Sequence, residues 1–285
     1  MAKICQVCDK PPITPRHRYC ARCYKWCSVR KEIRARVKTL RERLDRAADR
    51  FTCSYCGIVL NETDNKRPDF LCFDHRMPGK RNDLAVCAEF INLMKSDMTW
   101  KEFPVAVIML AHLFLYGTPF DKKAVKFVCW NRSRKPRPKA PPLKMPPPLR
   151  AWHADECPIC GKPPVPHTLY CARCHTFADA PDFSMVKLLA LKEAYDPATD
   201  SILCHYTRVL VDIKDPASPW YLNYDHVIPG DESRLVVAAN FVNVMKTQLS
   251  EDEFRAIIIE LARHFETGEP FDLGVCEFKY WTGLR

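Results

Sequence analysis

Cys5, Cys8, Cys20 and Cys23 form two Cys-x-x-Cys pairs 11 residues apart, and Cys157, Cys160, Cys171 and Cys174 repeat the arrangement with 10 between. Four thiolates so spaced close a tetrahedron around one zinc ion, at Zn–S distances near ~2.3 Å. The intervening loops hold too little apolar mass to fold unaided, so the metal would supply their folding energy. A redox Cys-x-x-Cys is the alternative, and doubling the pair at each site weighs against it. Cys53, Cys56, Cys72 and Cys87 are either a second zinc site in the first half or four small buried hydrophobes. Their counterparts, Cys204, Thr207, Asn223 and Ala238, lose three thiols together, as one shared metal would require.

Two other segments carry acid–base and hard-ligand chemistry. Asp74-His75-Arg76-Met77-Pro78-Gly79 precedes Asn92 and Lys95, and Asp225-His226-Val227-Ile228-Pro229-Gly230 precedes Asn243 and Lys246. An imidazole such as His75 or His226 takes a proton near neutral pH. Asp74 and Asp225 are hard oxygen ligands, and Asn92 and Asn243 can add an amide oxygen. Such a set with open positions suits Mg²⁺ or another divalent cation, which keeps waters and accepts phosphate oxygens. Neighbours on a strand point to opposite faces, so each Asp-His pair must sit at a strand end or turn to aim at one phosphate.

These segments are copies of one another. Tyr19-Cys20-Ala21-Arg22-Cys23 returns letter for letter at 170–174, and Asp74–Phe103 aligns without a gap on Asp225–Phe254 with 13 of 30 positions identical. A period this long is a duplicated domain rather than a solenoid. The expected domains are 1–130 and 151–285, each a cysteine knuckle followed by the segment that carries the Asp-His pair, joined by the linker 131–150. Seven of the linker's 20 residues are proline and none is acidic. It reads as a stiff spacer with ~60 Å of reach, either solvated or touching phosphate through its cations.

Within the first copy, apolar Val29, Ile33, Val37, Leu40, Leu44 and Ala47 predict a helix over 29–50 whose other face is basic. Strands are expected around 53–60 and 70–75, a helix at 84–96, and an apolar helix from Pro104 to Tyr116 closed by Gly117. That last helix is apolar nearly all round, which predicts burial, either between the copies or in the core of the first. The second copy repeats the order, with a shorter first helix at about 183–195.

Charge is uneven: residues 1–130 carry 25 Lys+Arg and 14 Asp+Glu, the linker 7 and none, and residues 151–285 carry 12 and 20. The polyanion partner this implies falls to the first half, where Arg16, Arg18, Arg30, Arg34, Lys38 and Arg41 are the candidate phosphate contacts. Lys95 and Lys246 either contact phosphate or cover a helix surface. With 8 Gly and neither G-x-G-x-x-G nor G-x-x-x-x-G-K-[ST], dinucleotide-binding folds and P-loop NTPases are poor matches. The longest apolar stretch, Val105–Tyr116, is too short to span a bilayer, so no membrane partner is expected. Reduced thiols without a secretory signal imply the cytoplasm or another reducing compartment, nuclear and organellar ones included.

The D-H-x-x-P segment, the N-x-x-K that follows and the cysteine frame around them resemble the HNH, or ββα-metal, nuclease family, over roughly 50–103 and 202–254. The knuckles also resemble those of small zinc-bound HNH restriction and homing enzymes. The resemblance implies an α+β fold of two tandem zinc-stabilised ββα-metal domains forming a single-chain pseudo-dimer. It implies a monomer that cuts double-stranded DNA, with one site per strand. His75 and His226 would be general bases, and Asp74 with Asn92 and Asp225 with Asn243 would hold one catalytic cation per copy beside two or three structural Zn²⁺. The chain departs from the family nine residues before the final Asn, where Asp83 and Arg234 replace the residue that orients the base. A nickase with one degenerate half and a non-catalytic zinc-dependent nucleic-acid-binding protein are the alternatives.

Overall fold

A computed structural model describes residues 4–28, 32–130, 155–166, 168–178 and 184–283. The linker 131–150, with the cations read in it, and the candidate phosphate contact Arg30 lie outside the described residues. In chain order the elements are α1 (Ala21–Cys27), α2 (Ile33–Arg43), β1 (Leu44–Asp45), β2 (Arg50–Phe51), β3 (Leu71–His75), β4 (Leu84–Ala88), α3 (Glu89–Lys95) and α4 (Glu102–Tyr116), then α5 (Ala172–Ala178), α6 (Met185–Ala194), β5 (Tyr195–Asp196), β6 (Ser201–Ile202), β7 (Leu222–His226), β8 (Leu235–Ala239), α7 (Asn240–Lys246) and α8 (Glu251–Thr267). The fold is α+β, with four two-stranded antiparallel sheets among the described residues, β1-β2, β3-β4, β5-β6 and β7-β8. Among the described residues no helix is long and apolar enough to cross a membrane.

The chain divides into two compact units, Met1–Ser133 with Val244–Arg285, and Arg134–Asn243. The segment from Val244 on, which the repeat assigns to the second half, thus belongs to the first unit. There the hairpin β3-β4 pairs His75 with Leu84 and Leu71 with Ala88, and α2 packs on β4. All five residues of β4 are buried, and α3 follows without a loop, burying Phe90, Ile91 and Met94. The helix expected at 84–96 is therefore half strand. An apolar run of five cannot be told from a buried helix by periodicity, and pairing with β3 decides it.

The basic helix expected over 29–50 is also shorter. Leu44 turns extended (φ −79°, ψ 111°), and Asp45 Oδ1 accepts the Ala47 and Ala48 amides at 2.9 and 3.1 Å. That aspartate turn offers the backbone an alternative to helix and closes the β1-β2 hairpin. At 53–60 the expected strand reduces to a knuckle turn with a single bridge, Thr52 to Val59.

The apolar helix α4 ends as expected at Gly117, which holds φ 68° and donates its N–H to Leu113 O. It packs against α8. Phe103 meets Phe265 at 5.9 Å between ring centroids, and Phe114 meets Phe254 at 6.2 Å. In the repeat Phe254 aligns with Phe103 and Phe265 with Phe114, so the two contacts exchange, as they would across a two-fold axis. Burial is incomplete at the end of α4, where Leu115 and Tyr116 are exposed.

In the second unit α6 packs on β8, and Val236 to Ala239 are buried. The register of β7-β8, His226 opposite Leu235 and Leu222 opposite Ala239, reproduces that of β3-β4. Trp220 and Phe241 close this core with rings 4.9 Å apart.

Candidate functional site

Each tandem cysteine motif gathers its four sulfurs. Those of Cys5, Cys8, Cys20 and Cys23, and those of Cys157, Cys160, Cys171 and Cys174, lie within 4.8 Å of one another in each group. Cys8 Sγ is 3.5 Å from Cys20 Sγ and 3.6 Å from Cys23 Sγ, close to the ~3.8 Å edge of a tetrahedron of Zn–S bonds. The loops fold for this purpose. Cys5 N donates to Lys10 O at 2.8 Å, and Asp9, at φ 60°, returns its N–H to Cys5 O at 3.1 Å. Cys157 and Gly161 repeat that turn, with φ 69° at the glycine. Two Cys₄ groups of this geometry fit structural zinc.

An ion-pair clamp fastens each knuckle to its small hairpin. Lys10 and Arg22 both bind Asp49, and Arg22 also binds Glu62; Lys162 and Arg173 both bind Asp200. The arginine of the repeated Tyr-Cys-Ala-Arg-Cys is thus tied up within the fold.

Cys53, Cys56, Cys72 and Cys87 do not form a third such group. Cys72 and Cys87 face each other across β3-β4 at 3.5 Å, while Cys53 and Cys56 sit on a separate knuckle turn, closed by Gly57 N–H to Cys53 O at 3.1 Å.

The Asp-His pair lies at the end of β3, as the chemistry demanded. His75 keeps 40 % of its side chain exposed, and its Nε2 stands 3.4 Å from Glu32 Oε1. Asp74 is 4 % exposed and points the other way. Its Oδ2 accepts the Tyr55 hydroxyl, and Lys95 Nζ lies 3.1 Å from both of its oxygens. The same ammonium donates to His75 O at 3.0 Å. Burial raises the Asp74 carboxyl above the usual carboxylate range, and Lys95 and Tyr55 restrain that rise. Burial, then the Asp74 charge, pushes the Tyr55 phenol far up, so it stays a neutral donor.

The second half keeps the arrangement's parts. Asp225 is 5 % exposed and accepts the Tyr206 hydroxyl at 2.5 Å, and Lys246 is 1 % exposed. Lys95 and Lys246 are therefore neither phosphate contacts nor a helix surface cover. They are buried ammoniums, and Lys95 neutralises a buried carboxylate. Arg16, Arg18, Arg34, Lys38 and Arg41 are exposed.

Asn92 and Asn243, on α3 and α7, are half-buried. A divalent cation on Asp74 would lie against the Lys95 ammonium, which already supplies the compensating charge. As arranged, Asp74 and Asn92 do not fit a catalytic cation.

Four participants escaped the sequence reading. Tyr55 and Tyr206 align at the common repeat offset, which would have flagged them. Glu32 stands at φ 64° just ahead of α2, where no motif points. Trp100, whose N–H donates to Arg76 O at 2.9 Å, lies exposed beside the Asp-His turn. No family model, curated protein or solved structure matches the chain.

Proposed function

We propose that the chain is a zinc-stabilised, HNH-like endonuclease that hydrolyses phosphodiester bonds in double-stranded DNA, with its working site in the first half. The observation that carries this reading is the His75–Glu32 pair at the end of β3. With the proton on Nε2 held toward the Glu32 carboxylate, Nδ1 keeps its lone pair for a proton of the attacking water. The carboxylate also stabilises the imidazolium that forms, the part that the family's missing orienting residue would play. Charge on the phosphate falls to Arg76, next in the chain, and to the basic surface of α2.

The second half is the weaker candidate. Position 183, aligned with Glu32, is phenylalanine, and residues 151–285 are net acidic. The reciprocal phenylalanine contacts between α4 and α8 support a pseudo-dimer in which this half is chiefly scaffold. A second reading, zinc-dependent nucleic-acid binding without catalysis, is favoured by one fact: Asp74 is spent on an internal network with Tyr55 and Lys95.

Supercoiled plasmid, incubated with zinc-loaded protein with and without Mg²⁺, tests both. The expected product is open circles, lost in His75→Ala and retained in His226→Ala. Full cleavage by His75→Ala would overturn the role of that histidine, and no cleavage by the wild type under either condition would leave the binding reading.

A further inference from the structure

Immediately past the Asp-His turn, the first unit carries a cavity of about 640 Å³, within the ~300–1,000 Å³ of ordinary small-ligand pockets. Its apolar lining comes from Met77, Val105 and Val128, and its rim carries Trp100 with Lys80, Lys101 and Lys126. The Trp100 indole is 46 % exposed, a large aromatic surface left uncovered, and Lys101 Nζ sits 5.4 Å from its ring centroid. Two acids also line the cavity, Asp83 and Glu102. Glu102 is occupied internally, for its oxygens accept the Thr99 and Val128 amides at 2.9 and 2.7 Å. Three lysines therefore face one available carboxylate, that of Asp83.

The repeat supplies a comparison within the same chain. Lys80, Trp100, Lys101 and Lys126 align with Asp231, Glu251, Asp252 and Glu277. Every cation of the rim becomes an acid in the second half, and the aromatic does too. Two of those acids have a helical role, since Glu251 and Asp252 sit in the first turn of α8 and Glu251 pairs with Arg255. The first half instead gathers cations around an exposed indole, the lining that suits an anion with a flat apolar part.

We infer that this pocket takes one unpaired nucleotide of a nucleic-acid strand, its base stacked on Trp100 and its flanking phosphates on Lys80, Lys101 and Lys126. Every base has a π-face, so stacking of this kind tolerates sequence, and the lysines follow the backbone. Asp83 can accept from a base amino group. The substrate class then narrows to DNA with an unpaired or splayed base near the cleaved linkage, such as a junction, flap or single-stranded end. This rests on the nucleic-acid part of the function proposed above and not on hydrolysis.

The test is binding by the full-length, zinc-loaded His75→Ala protein, which separates it from cleavage. Fluorescein-labelled (dT)₁₂ and a blunt duplex of the same length are titrated by anisotropy, with and without Trp100→Ala. The expected result is about a tenfold loss of affinity for (dT)₁₂ and less than a twofold change for the duplex, since stacking one base contributes ~1–3 kcal/mol. Lys101→Glu is expected to weaken (dT)₁₂ binding and to flatten its salt dependence. Circular dichroism and zinc content check that each variant is folded. Unchanged (dT)₁₂ affinity in folded Trp100→Ala, or an equal loss for both ligands, would overturn the inference. Failure of the plasmid assay with these binding differences intact would remove the hydrolytic reading and leave the pocket standing.

Discussion

Lys95→Met removes the ammonium that holds Asp74. At 3.1 Å from both carboxylate oxygens, the pair attracts by roughly 5 kcal/mol at an effective dielectric of about 20. Burying two ions costs several kcal/mol each, so the net contribution of the intact pair is small. Removing one partner is a different matter. The Lys95 side chain is 0 % exposed and that of Asp74 5 %, so the surviving carboxylate would keep only the Tyr55 hydroxyl and no access to water. Such an orphaned buried charge costs about 3–5 kcal/mol, or roughly 10 °C in the melting of a unit this size. Lys95→Met/Asp74→Asn, which removes both charges, is expected to recover at least ~2 kcal/mol of that loss. The pH dependence has a definite sign. Without Lys95, Asp74 binds its proton more tightly folded than unfolded, so the deficit shrinks as pH falls from 8 toward 5. Urea unfolding followed by tryptophan fluorescence at constant zinc reads all three quantities. A single variant within ~1 kcal/mol of wild type, or strictly additive losses, would refute the reasoning.

Two further outcomes follow from the geometry. Cys8→Ser and Cys160→Ser are each expected to release one zinc per chain by metal analysis and to unfold only their own knuckle; unchanged content in either would mean that packing alone gathers those sulfurs. Glu260 is held below the usual carboxylate range first by the Arg263 guanidinium and also accepts the Asp272 amide at 2.7 Å. Its contribution is full above the ordinary value of 4.5 and is lost as pH falls through its lowered folded value, so Glu260→Gln should melt below wild type at pH 7 and level with it near pH 3. A gap that persists in acid counts against that pairing.

The zinc groups were legible because ligand spacing is local: a tetrahedron of thiolates fixes how far apart in sequence its corners fall. The end of α4 was legible for a similar reason, since Gly117 at φ 68° closes it with a residue that has no Cβ to clash. The hairpin was less so. The run Leu84–Ala88 carries no period, and only its pairing with Leu71–His75 makes it a strand. Asp74 was readable as a carboxylate next to a histidine, but not as one turned inward. Its partners Tyr55 and Lys95 lie 19 and 21 residues away, on a turn and a helix that only the fold brings together. Glu32 reaches His75 from 43 residues away, with no spacing rule to announce it.

Comparing the two halves separates what holds the fold from what meets a ligand. Each half keeps four zinc-site sulfurs, a knuckle clamp on Asp49 or Asp200, and the residues Tyr55, Asp74 and Lys95 or Tyr206, Asp225 and Lys246. The sulfurs and the Tyr, Asp and Lys residues are buried or partly so, and their loss would cost stability in either half, whereas the clamp lysines and aspartates are exposed. Among the described residues the first half has Glu32 beside its histidine, the lysine-rimmed cavity with its exposed indole, and the basic face of α2. These are solvent-facing features, and their counterparts could change without unfolding anything. The buried residue types recur in both halves, while the surface groups that could recognise a phosphate or a base occur in one. The cationic rim and the Glu32 contact both lie beside His75 and not beside His226, which is why the proposed nuclease site is assigned to the first half.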